Sequence, residues 1–231
     1  MTGIGRDGLV PVPVSAVVTA SFCPRRLFLA KSFESGWTQG AEYTICRQIA
    51  SHLGKPLDGD AIWDEVLALE PGTDPRLRTF LDTCIARCNE GGPWPIPIRS
   101  DVPLFSRKYG LYGNIDKVFD VEPPFAIVRA NTAPPTGVAG NDRLRIFGYM
   151  LLLSDAAEIQ AGSGSVEYIP SGVSRSCSPH PIDKRRFLQA LGSAREVLAG
   201  KEPEPSQGPQ CRSCPSHPSC FPMGKRLSDI L

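Results

Sequence analysis

Hydrophobic residues in the first 90 positions recur mainly at helical spacing. This spacing predicts helical segments over 14–34, 40–53, 61–69 and 75–89. Pro24 is expected to divide the first segment into two helices, and Pro75 fits the first turn of the last one. The stretch GGPWPIP then ends the helical region, because glycine and proline disfavour a continuing helix.

The pattern after residue 100 changes to that of strands. Three segments have strand composition: 101–121, which suits paired strands, 124–131 and 165–170. Helical spacing returns over 142–154 and 183–199, with Asp183 as the expected N-cap and Gly200 just beyond the end of the last helix. The order of the elements predicts a mixed α/β fold with a helical N-terminal part.

Composition places the chain among ordinary globular proteins. Its 231 residues are 41% hydrophobic and 21% charged, with a net charge of +1. Any DNA binding therefore requires a local basic patch, because there is no overall attraction to polyanions. A membrane span is not expected, since no apolar run reaches about 18 residues. The start of the chain lacks the stacked positive charges of a signal peptide, which predicts a cytoplasmic protein.

Three of the eight cysteines are clustered near the C-terminus in CRSCPSHPSC, at positions 211, 214 and 220. In a chain without an export signal, clustered cysteines more often bind metal than form disulfides. Cys23, in SFCPRR, is the nearest candidate for a fourth ligand, and four thiolates suit either zinc or an iron–sulfur cluster. His217 lies between the clustered cysteines as an alternative ligand. The remaining four cysteines are predicted to be buried core thiols: Cys46, Cys84, Cys88 and Cys177.

Several short motifs follow one another along the chain. They are CPRR near the N-terminus, Gly113-Asn114-Ile115-Asp116 in a predicted strand, a helix ending in Tyr149, the linker GKEP and the terminal C-x2-C-x5-C. In this combination the chain resembles the CRISPR-associated Cas-four proteins, which are RecB-like nucleases of the PD-(D/E)XK superfamily. The resemblance extends over nearly the whole chain, and the cysteine spacing together with CPRR is its most specific element.

The resemblance implies a fold, a cofactor and partners. The fold would be a single domain over 1–231, with a PD-(D/E)XK restriction-endonuclease-like core at about 95–200 and an iron–sulfur module formed by about 14–30 and 201–225. A [4Fe–4S] cluster would be bound by Cys23, Cys211, Cys214 and Cys220. Members of the family cut DNA with a divalent metal and act in spacer selection, so DNA ends or single strands and the CRISPR adaptation integrase are the expected partners.

The catalytic residues that the resemblance implies are only partly present. Asp116 aligns with the first metal-binding carboxylate of the family. Four aligned positions carry other residues: Arg129 in place of Glu, Asn131 in place of Lys, Arg145 in place of Gln and Thr44 in place of His. A guanidinium at the second ligand position repels the cation that the site should bind, so an Asp116–Arg129 ion pair is the expected replacement. Asp120, Glu122 and Asp142 are the carboxylates from which a displaced metal ligand would come.

These substitutions predict a protein that keeps the scaffold and the cluster but has lost the nuclease. Arg143, Arg145 and Tyr149 would then line the former DNA groove, where cations contact phosphates and an aromatic ring stacks on a base. Two alternatives stay open. One is an active nuclease that uses Mg or Mn with displaced ligands, and the other is an interaction domain stapled by zinc.

Overall fold

The computed structural model of the chain describes residues 10–32 and 40–221. Its α-helices are α1 (Val14–Phe22), α2 (Pro24–Ser32), α3 (Ala41–His52), α4 (Gly59–Leu69), α5 (Arg78–Glu90), α6 (Gly140–Ala156), α7 (Pro181–Leu198) and α8 (His217–Cys220). Its strands are β1 (Val12–Pro13), β2 (Arg99–Ser106), β3 (Leu111–Val118), β4 (Phe125–Arg129), β5 (Gly164–Tyr168) and β6 (Val173–Cys177). Short 3-10 turns occur at Pro75–Leu77, Ile169–Ser171 and Pro209–Ser213.

Local sequence signals explain where the helices begin and end. The predicted break in the first helical segment is confirmed, because α1 ends before Cys23 and Pro24 opens α2. Helix α7 differs from the prediction. It begins at Pro181 with His180 as the N-cap, and Asp183 occupies the third helical position, where its carboxylate accepts a hydrogen bond from the His180 N–H. Proline at the first helical position fixes a helical φ and has no N–H that needs a partner, so the helix starts earlier than expected.

The six strands form one mixed sheet in which β3 has three neighbours. Strand β2 pairs with β3 along its whole length, so β1 and β4 must share the other edge of β3. Strand β1 pairs there with Leu111 and Tyr112, and β4 pairs only with Lys117 and Val118. Between these two pairings, the middle of β3 has no ladder partner on this edge, and the sheet opens into a cleft. The order continues from β4 through parallel β5 to antiparallel β6.

Helices flank the sheet and bury its apolar residues. One hydrophobic cluster joins α1 and α2 to α6 and α7, and a second lies between α6 and the sheet. A third cluster joins α3, α4 and α5 to Val128 of β4 and to Ile169. The predicted α/β class with a mixed sheet flanked by helices is therefore confirmed.

Two strands were not predicted from the sequence. Strand β1 has only two residues, and β6, VSRSC, contains two serines and an arginine whose burial alternates with exposure. The strand predicted to contain Gly113 and Asp116 is confirmed, since both lie inside β3. No helix within the described ranges is long and apolar enough to cross a membrane.

Candidate functional site

The opening in the sheet between β1 and β4 forms a cavity of about 290 Å³. Its walls come from the start of α1, the middle of β3, the end of β4 and one face each of α3 and α6. The charged side chains that line it are Arg47, Asp116, Arg129 and Arg145, and Tyr43 and Tyr149 line it with them. We call this cavity the cleft. It contains four of the site residues expected from the resemblance to the nucleases, which are Asp116, Arg129, Arg145 and Tyr149.

Asp116 stabilises the point where β3 and β4 separate. Its Oδ2 accepts a hydrogen bond of 2.8 Å from the backbone N–H of Val128, in place of a ladder bond between the two strands. Arg47 Nη1 lies 3.6 Å from the other carboxylate oxygen. Burial raises the pKa of Asp116, while the Val128 N–H and the charge of Arg47 oppose that rise. The carboxylate is thus a structural acceptor whose ion-pair partner is Arg47, and the charges of Arg129 and Lys117 also act on it.

The expected ion pair between Asp116 and Arg129 does not form in the described residues. Arg129 Nε instead lies 2.9 Å from Asp142 Oδ1, and Arg145 Nη1 lies 3.4 Å from the same oxygen. Asp142 begins the face of α6 that meets the sheet, and its side chain is only 2% exposed. It also accepts a hydrogen bond of 2.9 Å from the Tyr168 hydroxyl. A carboxylate held in this way beneath two arginines is a counterion.

The two arginines lie close enough to repel each other. Burial and the charge of Arg129 both lower the pKa of Arg145, and the charge of Asp142 opposes that effect. Although Arg129 Nε is near Asp142, its N–H is not directed at the carboxylate, and it has no hydrogen-bond partner in the part of the chain that the structure describes. The single buried carboxylate of Asp142 therefore neutralises only one of the two positive charges of Arg129 and Arg145.

Helix α3 supplies two residues of the cleft that the sequence did not single out. Tyr43 and Arg47 are four residues apart, so they share one face of α3, and the Arg47 guanidinium lies near the Tyr43 ring. Arg47 also forms an ion pair with Asp101. Thr44, the residue aligned with the family's histidine, points elsewhere and donates a hydrogen bond of 2.6 Å to Glu70. The sequence signal that could have found these two residues is their one-turn spacing, and this spacing does not distinguish a residue in a cleft from one on an exposed helix surface.

Two other predicted site residues lie outside the cleft. Arg143 Nε donates to Asp183 at 3.1 Å, and Arg143 Nη1 donates to the Val138 carbonyl, so this side chain holds α6 to α7. Asn131 follows the end of β4 and is exposed. Tyr149 does line the cleft, with its ring packed edge-on against Phe125 at 6.4 Å. Of the three residues assigned to a DNA groove, the structure brings Arg145 and Tyr149 together and separates Arg143 from them.

A buried ion pair beside the cleft was not foreseen. Lys117 follows Asp116 in β3, and its Nζ lies 2.8 Å from Glu167 Oε2 of β5. The two side chains are 3% and 1% exposed. Burial raises the pKa of Glu167, and the charge of Lys117 opposes that rise. The ammonium is therefore engaged by a carboxylate and is not available to activate a water molecule in the cleft.

The second candidate site is a narrow pocket where the two ends of the described chain meet. All four predicted ligand cysteines line it: Cys23, Cys211, Cys214 and Cys220. His217 lines it as well, with its ring 5.4 Å from that of Phe221. We call it the cysteine pocket. All four of its cysteines are free thiols, and the other four cysteines, predicted to be core thiols, are buried.

Arg25, from the CPRR motif, connects helix α2 to the C-terminal linker. Its guanidinium forms an ion pair with Glu202 and donates a hydrogen bond of 3.0 Å to the Pro203 carbonyl. Hydrogen bonding to Glu202 and proximity to Cys220 raise the pKa of Arg25. Two motifs that are about 180 residues apart, CPRR and GKEP, are thus in direct contact beside the cysteine pocket.

The chemistry of the donors at the cysteine pocket suits a soft metal, because four thiols and an imidazole face one cavity. The thiols do not form a closed coordination sphere, since no three His, Cys, Asp or Glu side chains of residues 10–32 and 40–221 are arranged to hold a metal ion. Neither protein-family models nor curated proteins match this sequence.

Proposed function

We propose that the protein is a Cas-four-like iron–sulfur protein whose nuclease centre has become a cation-rich binding cleft. It would act as a DNA-binding or partner-binding scaffold in CRISPR adaptation or related DNA processing. The observation that carries this proposal is the combination of two sites in one chain. Four cysteines from both ends line one pocket, and arginines line the position where a nuclease needs acidic metal ligands.

The proposed cofactor is a [4Fe–4S] cluster on Cys23, Cys211, Cys214 and Cys220. Bound there, it would supply covalent cross-links between the helix α1–α2 junction and the C-terminal segment. Arg25 already joins these two regions through Glu202 and Pro203, which keeps Cys23 within reach of the terminal cysteines. Metal binding would then be linked to folding, because the unfolded chain must close a loop of about 190 residues.

The proposed loss of cleavage is supported by the charges around Asp116. A hard divalent cation needs several oxygen ligands, and Asp116 is the only carboxylate among the described residues that line the cleft. Asp142, a candidate for a displaced ligand, is buried and bound to Arg129, Arg145 and Tyr168. Repulsion from the three arginines of the cleft further disfavours a metal ion there.

The cluster is tested by replacing single cysteines during anaerobic purification. Cys23→Ser and Cys214→Ser are expected to lose iron, the absorbance near 400 nm typical of iron–sulfur clusters and much of the soluble yield, to similar extents. Cys177→Ser is the matched control, since Cys177 is a buried thiol outside the cysteine pocket. Iron retained in full by Cys23→Ser would contradict the ligand set. A colourless protein with stoichiometric zinc would support the zinc-stapled alternative.

The loss of cleavage is tested on the same sample with single-stranded DNA and manganese. We expect no degradation above that of a buffer control. Cleavage that Asp116→Ala abolishes would overturn the proposal in favour of the active nuclease. The adaptation integrase is tested as a partner by co-purification, with and without the cysteine substitutions, because a scaffold that depends on the cluster should lose the partner with it.

A further inference from the structure

The cleft has the composition of an anion site. Among residues 10–32 and 40–221, three guanidinium groups line it, from Arg47, Arg129 and Arg145, against the single carboxylate of Asp116. Each arginine comes from a different element, α3, β4 or α6, so the convergence is a product of the fold. Arginine is also the side chain that best matches the planar, two-point geometry of phosphate and carboxylate oxygens.

The start of helix α1 adds backbone donors to the same wall. Pro13, Val14 and Ser15 line the cleft, and α1 begins at Val14. No side chain caps this helix end, and its first turn holds no acidic residue. The first N–H groups of a helix lack intrahelical acceptors and carry partial positive charge, which favours an anion.

The arginines of the cleft have unused capacity for a ligand. Arg129 and Arg145 share the carboxylate of Asp142, at 2.9 and 3.4 Å, so neither guanidinium has a carboxylate to itself. Arg47 is divided between Asp101 and Asp116, and its closest atom lies 3.6 Å from the latter. An anion placed among the three guanidinium groups would accept hydrogen bonds and reduce the repulsion between Arg129 and Arg145.

We infer that the cleft binds the dianionic phosphate of a phosphomonoester without a divalent metal, with Arg47, Arg129 and Arg145 as the recognition residues. The inference deepens the proposed function and rests on it, because it assumes that the cleft no longer binds a catalytic metal ion. A cavity of about 290 Å³ holds a phosphate and part of an attached sugar. The phosphate has two chemical sources, a nucleic-acid end and a free nucleotide.

The test is calorimetric titration of the intact protein in metal-free buffer. The probes are inorganic phosphate, a mononucleotide, and one single-stranded oligonucleotide with either a 5′-phosphate or a 5′-hydroxyl. We expect inorganic phosphate to bind and to compete with the tighter organic ligand. A preference for the 5′-phosphorylated over the 5′-hydroxyl strand identifies a nucleic-acid end, and a preference for the mononucleotide identifies a free nucleotide.

Variants separate a specific site from general positive charge. Arg145→Gln and Arg47→Gln are each expected to weaken phosphate binding about tenfold or more. Arg185→Gln, on the exposed face of α7 away from the cleft, should leave it unchanged. Asp116→Asn should tighten binding severalfold, because Asp116 is the one acidic residue among the described residues that line the cleft, and asparagine keeps an acceptor for the Val128 N–H. A misfolded variant cannot produce this gain.

Three results would overturn the inference: no phosphate binding, equal weakening by Arg185→Gln, or binding that requires manganese and disappears in Asp116→Asn. The last result would also contradict the proposal that the nuclease centre is inactive. By contrast, a protein without iron that still binds phosphate would refute the cluster alone, because the cleft and the cysteine pocket share no lining residues.

Discussion

The buried pair of Lys117 and Glu167 allows a prediction whose magnitude follows from the structure. Their charged atoms are 2.8 Å apart, and the side chains are nearly inaccessible to water. At an effective dielectric constant of about 20, the attraction is about 6 kcal/mol, and the desolvation of each ion opposes it by several kcal/mol. Removing one partner leaves the other as an unpaired buried charge, which costs about 3–5 kcal/mol.

The perturbation is a double-mutant cycle of Lys117→Met and Glu167→Leu. Each single variant is expected to lose about 3–5 kcal/mol in the free energy of unfolding, whereas the double variant should lose much less, because neither charge is left. Urea unfolding followed by far-UV circular dichroism measures this at equal metal content, with the urea dependence of the free energy as a check on compactness.

The reasoning is refuted if each single variant costs less than about 1 kcal/mol, or if the double variant loses the sum of the two single losses. Either result would mean that the ammonium is solvated or has another partner. Amine-selective labelling of the native protein gives an independent measurement. Lys117 should react much more slowly than Lys184, an exposed lysine on α7.

Three further predictions concern the cleft and its surroundings. Because burial raises the pKa of Asp116 above the ordinary 3.8, its ionisation costs more in the folded chain than in the unfolded one. The contribution of Asp116 to stability therefore falls as the pH rises from 3.8 through its raised folded pKa. Denaturation at several pH values should show that the free energy of unfolding falls less over this range in Asp116→Asn than in the wild type. Gly113→Ala would place a Cβ 3.0 Å from the Tyr149 ring and should lower stability by about 1 kcal/mol in thermal unfolding, whereas Gly192→Ala, which meets no atom within 4 Å, should not. Arg143→Ala should cost about 3 kcal/mol in the free energy of unfolding, since it leaves buried Asp183 with the His180 N–H but without a cation. It should not change phosphate binding as Arg145→Gln does. A loss of binding without a loss of stability would return Arg143 to the cleft.

Local signals in the sequence were sufficient for most of the secondary structure. Helical spacing and proline positions located α1 to α7, including the break at Pro24, because these features act within one or two turns of chain, but the four-residue α8 was not predicted. Strand β6 was missed since its alternating serine and arginine residues resemble a polar loop. The start of α7 was misplaced because aspartate is a common N-cap residue, which favoured Asp183. Histidine before proline, as at His180, is a weaker signal for the start of a helix.

The partners of charged residues were the least predictable part of the site. Arg129 was expected to pair with Asp116, but it pairs with Asp142, because α6 brings that carboxylate beneath the end of β4. Arg143 and Arg145 are two positions apart on α6, so the helix directs one toward α7 and the other into the cleft. No spacing in the sequence indicated that Arg47 of α3 would complete the cleft.

The sequence by itself determined most of the order of elements, the α/β class and the cysteine, aspartate and arginine residues available for chemistry, since each of these depends on residue type and on neighbours nearby in the chain. Only the tertiary structure decided which of them meet. The split of β3 between β1 and β4 opens the cleft, and the contact of Arg25 with Glu202 brings helix α2 and the C-terminal linker together. Both depend on packing between residues far apart in sequence, where the energy of a contact is set by burial and geometry that no local pattern records.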